Sequence, residues 1–378
     1  MSRGHRTYLD WNATAPLRPE AREAMTAALD VVGNPSSVHA EGRRARAIIE
    51  TAREQVAAVV GADPAQIYFT SGASEANSWV VRSGWDSVLL APVEHDSVRA
   101  PAAASGARVI DLAVAPDGRV AVEGIASEAL KGSGPLGRAL VAVQWANNET
   151  GVLQPVAETV ALAAAQGICV LVDAVQVVGR LNVDFNQTGM DYLTISGHKL
   201  GGPKGVGVLI ARDGAHLAPL IIGGGQERRQ RAGTENVAAI AGLGAAMVAA
   251  RRDLEQAWSD MAARRDRLER EILALTPSAV VVGCGAPRLS NTTCLSLPGR
   301  RAEVLVAVLD LAGIAVSAGA ACSSGKVSAS ATLAAMALPR EVIDGAIRVS
   351  QGPSTTDEDI AAFLAAWSNF STTSQRAA

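Results

Sequence analysis

Short apolar runs alternate with stretches of helical periodicity through the first two-thirds of the chain. Ile67–Phe69, Val88–Leu90, Val109–Leu112, Leu140–Trp145, Ile168–Val172, Tyr192–Ile195 and Val206–Ile210 have the length and composition of strands. Between them, Glu41–Val60, Glu75–Val81 and Val156–Gln166 repeat apolar residues at helix spacing. This alternation predicts an α/β fold with a largely parallel sheet. Several runs are almost wholly apolar, as strands become when helices cover both sheet faces. From Val237 to Leu275 the pattern predicts one long helix whose charge-rich half, Arg251–Glu271, faces solvent. Strands are fewer beyond it: Val280–Val282, Thr292–Leu297, Ile314–Val316 and Ala346–Ser350. A last helix is predicted from Thr356 to Asn369, with Asp357, Glu358 and Asp359 in its first turn. A second, smaller α+β domain is expected here, its boundary inside the long helix.

Composition narrows the function classes. The 34 basic and 37 acidic side chains leave a net charge of −3, which argues against broad affinity for nucleic acid or anionic membrane. With 48% hydrophobic residues, disorder is excluded as the dominant state. No uninterrupted apolar run reaches the ~18 residues needed to span a bilayer. The opening Met1–Asp10 has no apolar signal core. Cys169, Cys284, Cys294 and Cys322 are too few for a disulfide framework, and no CxxC pair occurs. The five histidines show no zinc-ligand spacing, so no metal is expected. The expectation is a soluble, cytoplasmic protein of a reducing compartment.

Candidate chemistry gathers where predicted strands end. Lys199 sits in Ile195-Ser-Gly-His-Lys-Leu-Gly-Gly-Pro-Lys-Gly205, a glycine-rich bend after a strand. There it suits a Schiff base, with Ser196 and His198 left to hold a phosphate; a solvent-facing turn lysine is the plain alternative. In Phe69-Thr-Ser-Gly-Ala-Ser-Glu-Ala-Asn77, small residues let the N–H groups of Ala73 and Ser74 meet an anion, or let Ser74 cap the helix. Asp173 ends an apolar strand and could pair with a protonated ring nitrogen or serve as an N-cap, with Gln176 one helical turn further on. His95, in Glu94-His-Asp-Ser97, could stack on a planar cofactor, move protons or be structural. Asn148 follows another strand and could hydrogen-bond a ligand or belong to turn chemistry. Cys169 and Cys294 read as packing residues, and Cys284 lies in a Gly-Cys-Gly turn. Cys322 differs: Ser317-Ala-Gly-Ala-Ala-Cys-Ser-Ser-Gly-Lys326 is polar and small, which suits a thiol that must move and react.

Together these segments resemble the cysteine desulfurases of the class V pyridoxal-phosphate-dependent aminotransferase family. The match runs from Tyr8-Leu-Asp10 and Asn12-Ala-Thr14 through Gly33-Asn-Pro-Ser-Ser-Val-His39 and the strand-end segments. It continues in Gly223-Gly-Gly-Gln-Glu227, Arg231-Ala-Gly-Thr-Glu-Asn236, the Cys322 stretch and Ile347-Arg-Val-Ser350. The resemblance implies fold type I: a large cofactor-binding domain over 13–252, and a small domain from 1–12 and 253–378 that carries the cysteine loop. It implies pyridoxal 5'-phosphate joined to Lys199, with Asp173 on the ring nitrogen, Gln176 on the ring hydroxyl and His95 stacked on the ring. Ser74, Ser196 and His198 would hold the phosphate. Thr234 would complete the phosphate site of the other subunit of a homodimer. Asn148 and Arg348 would bind the substrate carboxylate, and Cys322 would take the sulfur of L-cysteine as a persulfide. His95 is also a candidate for proton traffic.

The implied activity is conversion of L-cysteine to L-alanine, with sulfur passed to an acceptor protein for iron–sulfur clusters or thio-cofactors. A selenocysteine lyase, or a sulfur-relay protein of low turnover, are the alternatives. The chain departs from the family pattern at Trp11, Ala15, Leu171, Ala331 and Pro353.

Overall fold

The apolar runs assemble into one seven-stranded sheet. After β1 (Thr7–Tyr8), its strands are β2 (Ile67–Thr70), β3 (Ser87–Leu90), β4 (Arg108–Asp111), β5 (Ala139–Gln144), β6 (Cys169–Asp173), β7 (Tyr192–Ser196) and β8 (Gly207–Ala211). Their order is β2-β8-β7-β6-β5-β3-β4. β8 runs opposite in direction to the other six strands of this sheet, which are mutually parallel. This computed structural model describes residues 6–130, 136–319 and 330–375, with backbone alone at 128–130 and 370–375.

Alternate residues of each strand enter opposite layers. Val141, Val143, Val170 and Val172 pack with the helices Ala40–Val60, Val156–Ala165 and Val237–Arg252. Leu140, Ala142 and Leu171 pack with the helices Ala73–Val81 and Asp96–Ala104 on the other face. Every residue of β5 is buried, which explains its unbroken hydrophobicity. The helix Ala40–Val60 stops at Gly61, whose φ of 64° closes the helix end; a Cβ there would lie 2.7 Å from the Asp184 side chain.

The second sheet is antiparallel, in the order β12 (Ser317–Ala318), β13 (Ala346–Ser350), β10 (Thr292–Ser296) and β9 (Val280–Val282). It shares a core with the helices Leu254–Leu275, Ala302–Leu311 and Asp357–Gln375. The run predicted as one strand at Ile314–Val316 is divided. β11 (Ile314–Ala315) pairs with β1, and the chain then crosses to lay β12 against β13. The predicted 237–275 helix is likewise two helices that meet at Asp253, whose carboxylate is held by Arg18 at 2.7 Å. The last helix begins where expected and runs on to Gln375. Among the described residues, no helix is long and apolar enough to cross a membrane.

Two local contacts constrain the backbone. Glu227, Arg228 and Arg229 have φ values of 42°, 57° and 67°. Left-handed backbone costs such residues roughly 1–2 kcal/mol each. The buried Glu227 carboxylate pins this turn, accepting from Arg53 at 2.9 and 3.1 Å and from the Phe69 N–H at 3.1 Å. Elsewhere Trp11 lies so close over Gly352 that a Cβ there would fall 2.0 Å from the indole ring.

Candidate active site

The C-terminal ends of five strands open onto one cavity of about 610 Å³. Ligand crevices of open α/β sheets form at this edge, because successive βα loops diverge there. Strand register sets a polar row across it: Gln144 at the end of β5 faces Asp173 at the end of β6, which faces Thr194 in β7.

Asp173 is buried and each of its oxygens accepts one hydrogen bond. Its Oδ2 accepts from Asn77 Nδ2 at 2.8 Å and its Oδ1 from the Val175 N–H at 3.0 Å. Thr194 Oγ1 donates to Asn77 Oδ1 at 2.7 Å, fixing which way that amide points. Sequence reasoning gives Asn77 no role. Its one signal is a polar residue on the apolar face formed by Ala73, Ala76 and Val80. Gln176 also borders the cavity, though the expected helical turn after Asp173 is a series of tight turns closed by Ala174 and Val177 carbonyls. Its Nε2 donates to the Asn12 carbonyl at 3.1 Å, and its Oε1 accepts from Arg180 Nη1.

Lys199 closes a short 3-10 turn, Gly197–Lys199, directly after β7. Its Nζ donates to the carbonyls of Asn12 at 2.6 Å and Ala13 at 3.0 Å. Ser196, His198 and Lys204 border the same cavity, with Ser71–Glu75 beside them. The alternative reading of Ser74 as a helix cap fails. Gly72 is the N-cap and offers no side-chain acceptor, so Ser74 is two residues inside. A nine-residue helix with an uncapped N-terminus, flanked by hydroxyls and cations, suits a phosphate.

His198 Nδ1 lies 3.2 Å from Thr14 Oγ1. Burial, with the charges of Lys199 and Lys204, pushes its pKa down to about 4. Unfolded histidine titrates near ~6.5, so acid charges the unfolded chain first. The stability from a neutral His198 is therefore present above pH ~6.5 and is lost as pH falls toward about 4. Thermal unfolding of the cofactor-free protein is expected to show a flatter acid slope in His198→Asn. An unchanged slope would count against this assignment.

His95 caps the helix Asp96–Ala104. Its Nδ1 accepts from the Ser97 N–H at 3.1 Å, so the neutral ring carries its proton on Nε2. The preceding Glu94 is buried, accepts from the Gln144 N–H at 2.8 Å and leaves Oε2 without a partner among the described residues. Burial pushes its carboxyl well above the usual range, and Asp173 adds to the shift. Glu94 is thus a buried carboxyl beneath the site whose environment disfavours its charged form, a role its sequence did not suggest.

Arg348, in β13, reaches the cavity from the second sheet. Its Nη2 donates to Asp10 Oδ1 at 2.7 Å and its Nη1 to the Asn148 carbonyl at 2.9 Å. Its Nε is buried with no partner among the described residues. Asn148 borders the cavity beside it. Thr234 is exposed and outside the cavity wall. Cys322 lies outside the described residues. Cys169 is half-buried and its thiol is raised by burial, then by Asp191. Cys294 is fully buried and pushed up to about 12, and Cys284 is exposed.

Residues 7–363 match the model of the aminotransferase class-V family. The chain is 41% identical to a cysteine desulfurase of Cereibacter sphaeroides, covering 94% of this chain and 93% of that one. It is 37% identical to an IscS-like cysteine desulfurase of Mycobacterium tuberculosis, with 94% of each chain covered. Among solved structures, a NifS-like protein from Rickettsia africae superposes with a TM-score of 0.89 at 33% identity, over 97% of this chain and 99% of that one. A structure titled SspA in complex with cysteine gives a TM-score of 0.78 at 27% identity, over 93% and 100%. With the matched residues spanning both sheets and the strand ends that build the cavity, this chain belongs to the aminotransferase class-V family, among its cysteine desulfurases.

Proposed function

We propose that the chain is a pyridoxal 5'-phosphate-dependent cysteine desulfurase that turns L-cysteine into L-alanine and holds the sulfur on Cys322 for an acceptor protein. One observation carries the cofactor reading: the Lys199 amine and the Asp173 carboxylate border one cavity, with an uncapped helix N-terminus on the same wall. A primary amine, a carboxylate and a phosphate cradle are the groups that a pyridoxal phosphate needs. Ser74, Ser196 and His198 would take the phosphate, His95 the ring face, Gln176 the ring hydroxyl and Asp173 the ring nitrogen. The Asn77 bond keeps the Asp173 carboxylate oriented for that contact. When bound, pyridoxal phosphate supplies the electron sink that weakens the substrate Cα–H bond.

The remaining steps belong to this chain. Arg348, whose Nε has no partner among the described residues, binds the substrate carboxylate beside Asn148. Lys199 Nζ takes the Cα proton and gives it back to Cα once the sulfur has left. The Cys322 thiolate attacks the substrate sulfur: an S–S bond forms, the C–S bond breaks, and its electron pair stays with Cβ, which takes a proton to become the methyl of alanine. His95 Nε2 is placed to carry a proton in this exchange. The large domain is assigned to 13–252 and the small domain to 1–12 with 253–378. A cytoplasmic place, and delivery to iron–sulfur cluster or thio-cofactor assembly, follow from the same reading. Equal yields of alanine and protein-bound sulfur, formed from cysteine by the cofactor-loaded protein, would support it. Absence of alanine, with or without acceptor proteins, would overturn it.

Thr234 supports a homodimer, since it is exposed a few residues beyond the pinned left-handed turn and away from its own cavity. Sedimentation is expected to show a dimer. Thr234→Ala should weaken cofactor affinity without changing that mass. A fully active monomer would contradict the arrangement.

A further inference from the structure

A second cavity, of about 260 Å³, lies beyond Lys199, which borders both spaces. Its walls are largely apolar, from Trp11, Leu17, Val178, Met261 and Pro353. Ala15 lies on the same wall.

Arg18 in this wall is paired with Asp253, but two other polar groups there lack such a counterpart. Arg180 is 8% exposed, and its guanidinium donates to the Gln176 carbonyl at 3.0 Å, to Gln176 Oε1 and to the Lys199 carbonyl at 3.4 Å. All three acceptors are neutral. No carboxylate pairs with Arg180, and no acidic residue borders the cavity, among the described residues. Burial pushes Arg180 down to about 9, and the charge of Arg348 adds to this. Gln351 is 2% exposed, borders the same space and leaves Oε1 without a partner among the described residues. A buried cation without an anion is costly, and an unpaired buried amide oxygen adds to the cost. An incoming anion with a hydrogen-bond donor or an apolar body would relieve the first and fill the rest.

We propose that this second cavity binds a small monocarboxylate with an apolar body, its carboxylate on Arg180 and its hydrocarbon part against Trp11, Val178 and Met261. Pockets that hold small ligands combine apolar walls with a few placed polar groups, and this one has that composition. The size suits an acid with a single ring or a branched chain. The proposed contacts, Arg180, Trp11, Val178 and Met261, are not among the residues assigned to cysteine, so the proposal stands apart from the desulfurase reading although Lys199 borders both spaces.

Benzoate is the probe, titrated calorimetrically into the cofactor-loaded protein, with benzyl alcohol as the uncharged analogue. Saturation is expected at a Kd of about 0.1–1 mM, and benzyl alcohol is expected to bind at least ~10-fold more weakly. Arg180→Met should weaken benzoate by ~10-fold or more. Because Arg180 also supports Gln176, Ala15→Leu provides the separate test: it narrows the cavity, leaves the guanidinium in place and should weaken benzoate to a similar degree. Asn148→Ala, a change confined to the first cavity, distinguishes the two and should leave benzoate affinity within about twofold. Failure of benzoate to saturate the wild-type protein by ~10 mM would overturn the proposal, as would unchanged affinity in Ala15→Leu.

Discussion

Replacing Lys199 with alanine is expected to abolish turnover and the visible absorbance of the lysine-bound cofactor. The side chain follows β7 through a tight 3-10 turn, and two backbone carbonyls from the Asn12–Ala13 bend hold its amine at the cavity. Lys204 also borders the cavity but lies five residues on, beyond Gly201, Gly202 and Pro203, without that carbonyl pair. Loss of an acid–base group alone costs ~10²–10⁴-fold. Lys199 combines proton transfer with cofactor attachment, so the loss should exceed ~10⁴-fold. Lys204→Ala should keep the absorbance. A Lys199→Ala protein that retained it would remove Lys199 from the mechanism.

Cys322→Ser should keep the cofactor and still bind cysteine to it, because neither event uses the thiol. Sulfur release should fall by at least ~10²-fold, equivalent to roughly 2.7 kcal/mol of barrier. A hydroxyl is a weak nucleophile toward sulfur and cannot carry a persulfide. The other cysteines offer poor substitutes. Cys294 is fully buried with its thiol pushed up to about 12, and burial also raises Cys169. Cys284 is exposed and is the sharper control. Single-turnover trapping followed by peptide mass spectrometry is expected to place the extra sulfur on Cys322. Finding it on Cys284, or normal sulfide release by Cys322→Ser, would refute the assignment.

The large sheet was legible because its strands are buried on both faces, which leaves unbroken apolar runs bounded by glycines and polar turns. Most boundaries fall within a residue or two of the expected ones. The features that escaped depend on contacts between distant segments. Asp253 divides the long helix through an ion pair with Arg18, 235 residues earlier. The short runs near Ile314 separate because two different strands claim them. Around the cavity, the chemically loaded residues Lys199, Asp173, His95 and Arg348 stood out by type and position. Their supports did not. Asn77 becomes the partner of Asp173 only across 96 residues of chain, and the isolation of Arg180 is visible only once its surroundings are packed. For Ser74 it is the plain alternative of a helix cap that falls, because the extended backbone of Gly72 begins the helix earlier than a Ser74 cap would allow.

The contact between Trp11 and Gly352 constrains how this sequence can drift. Any side chain at 352 would overlap the indole, since even its first carbon would lie 2.0 Å from the ring. Overpacking of that kind is destabilising, and here backbone would have to move to relieve it. A path of single substitutions toward the pair must therefore pass through glycine first and tryptophan second. The return path has the same gate in reverse: residue 11 must shrink before residue 352 can grow. Tryptophan thus entrenches its glycine, and two positions near opposite ends of the chain have one permitted order of change.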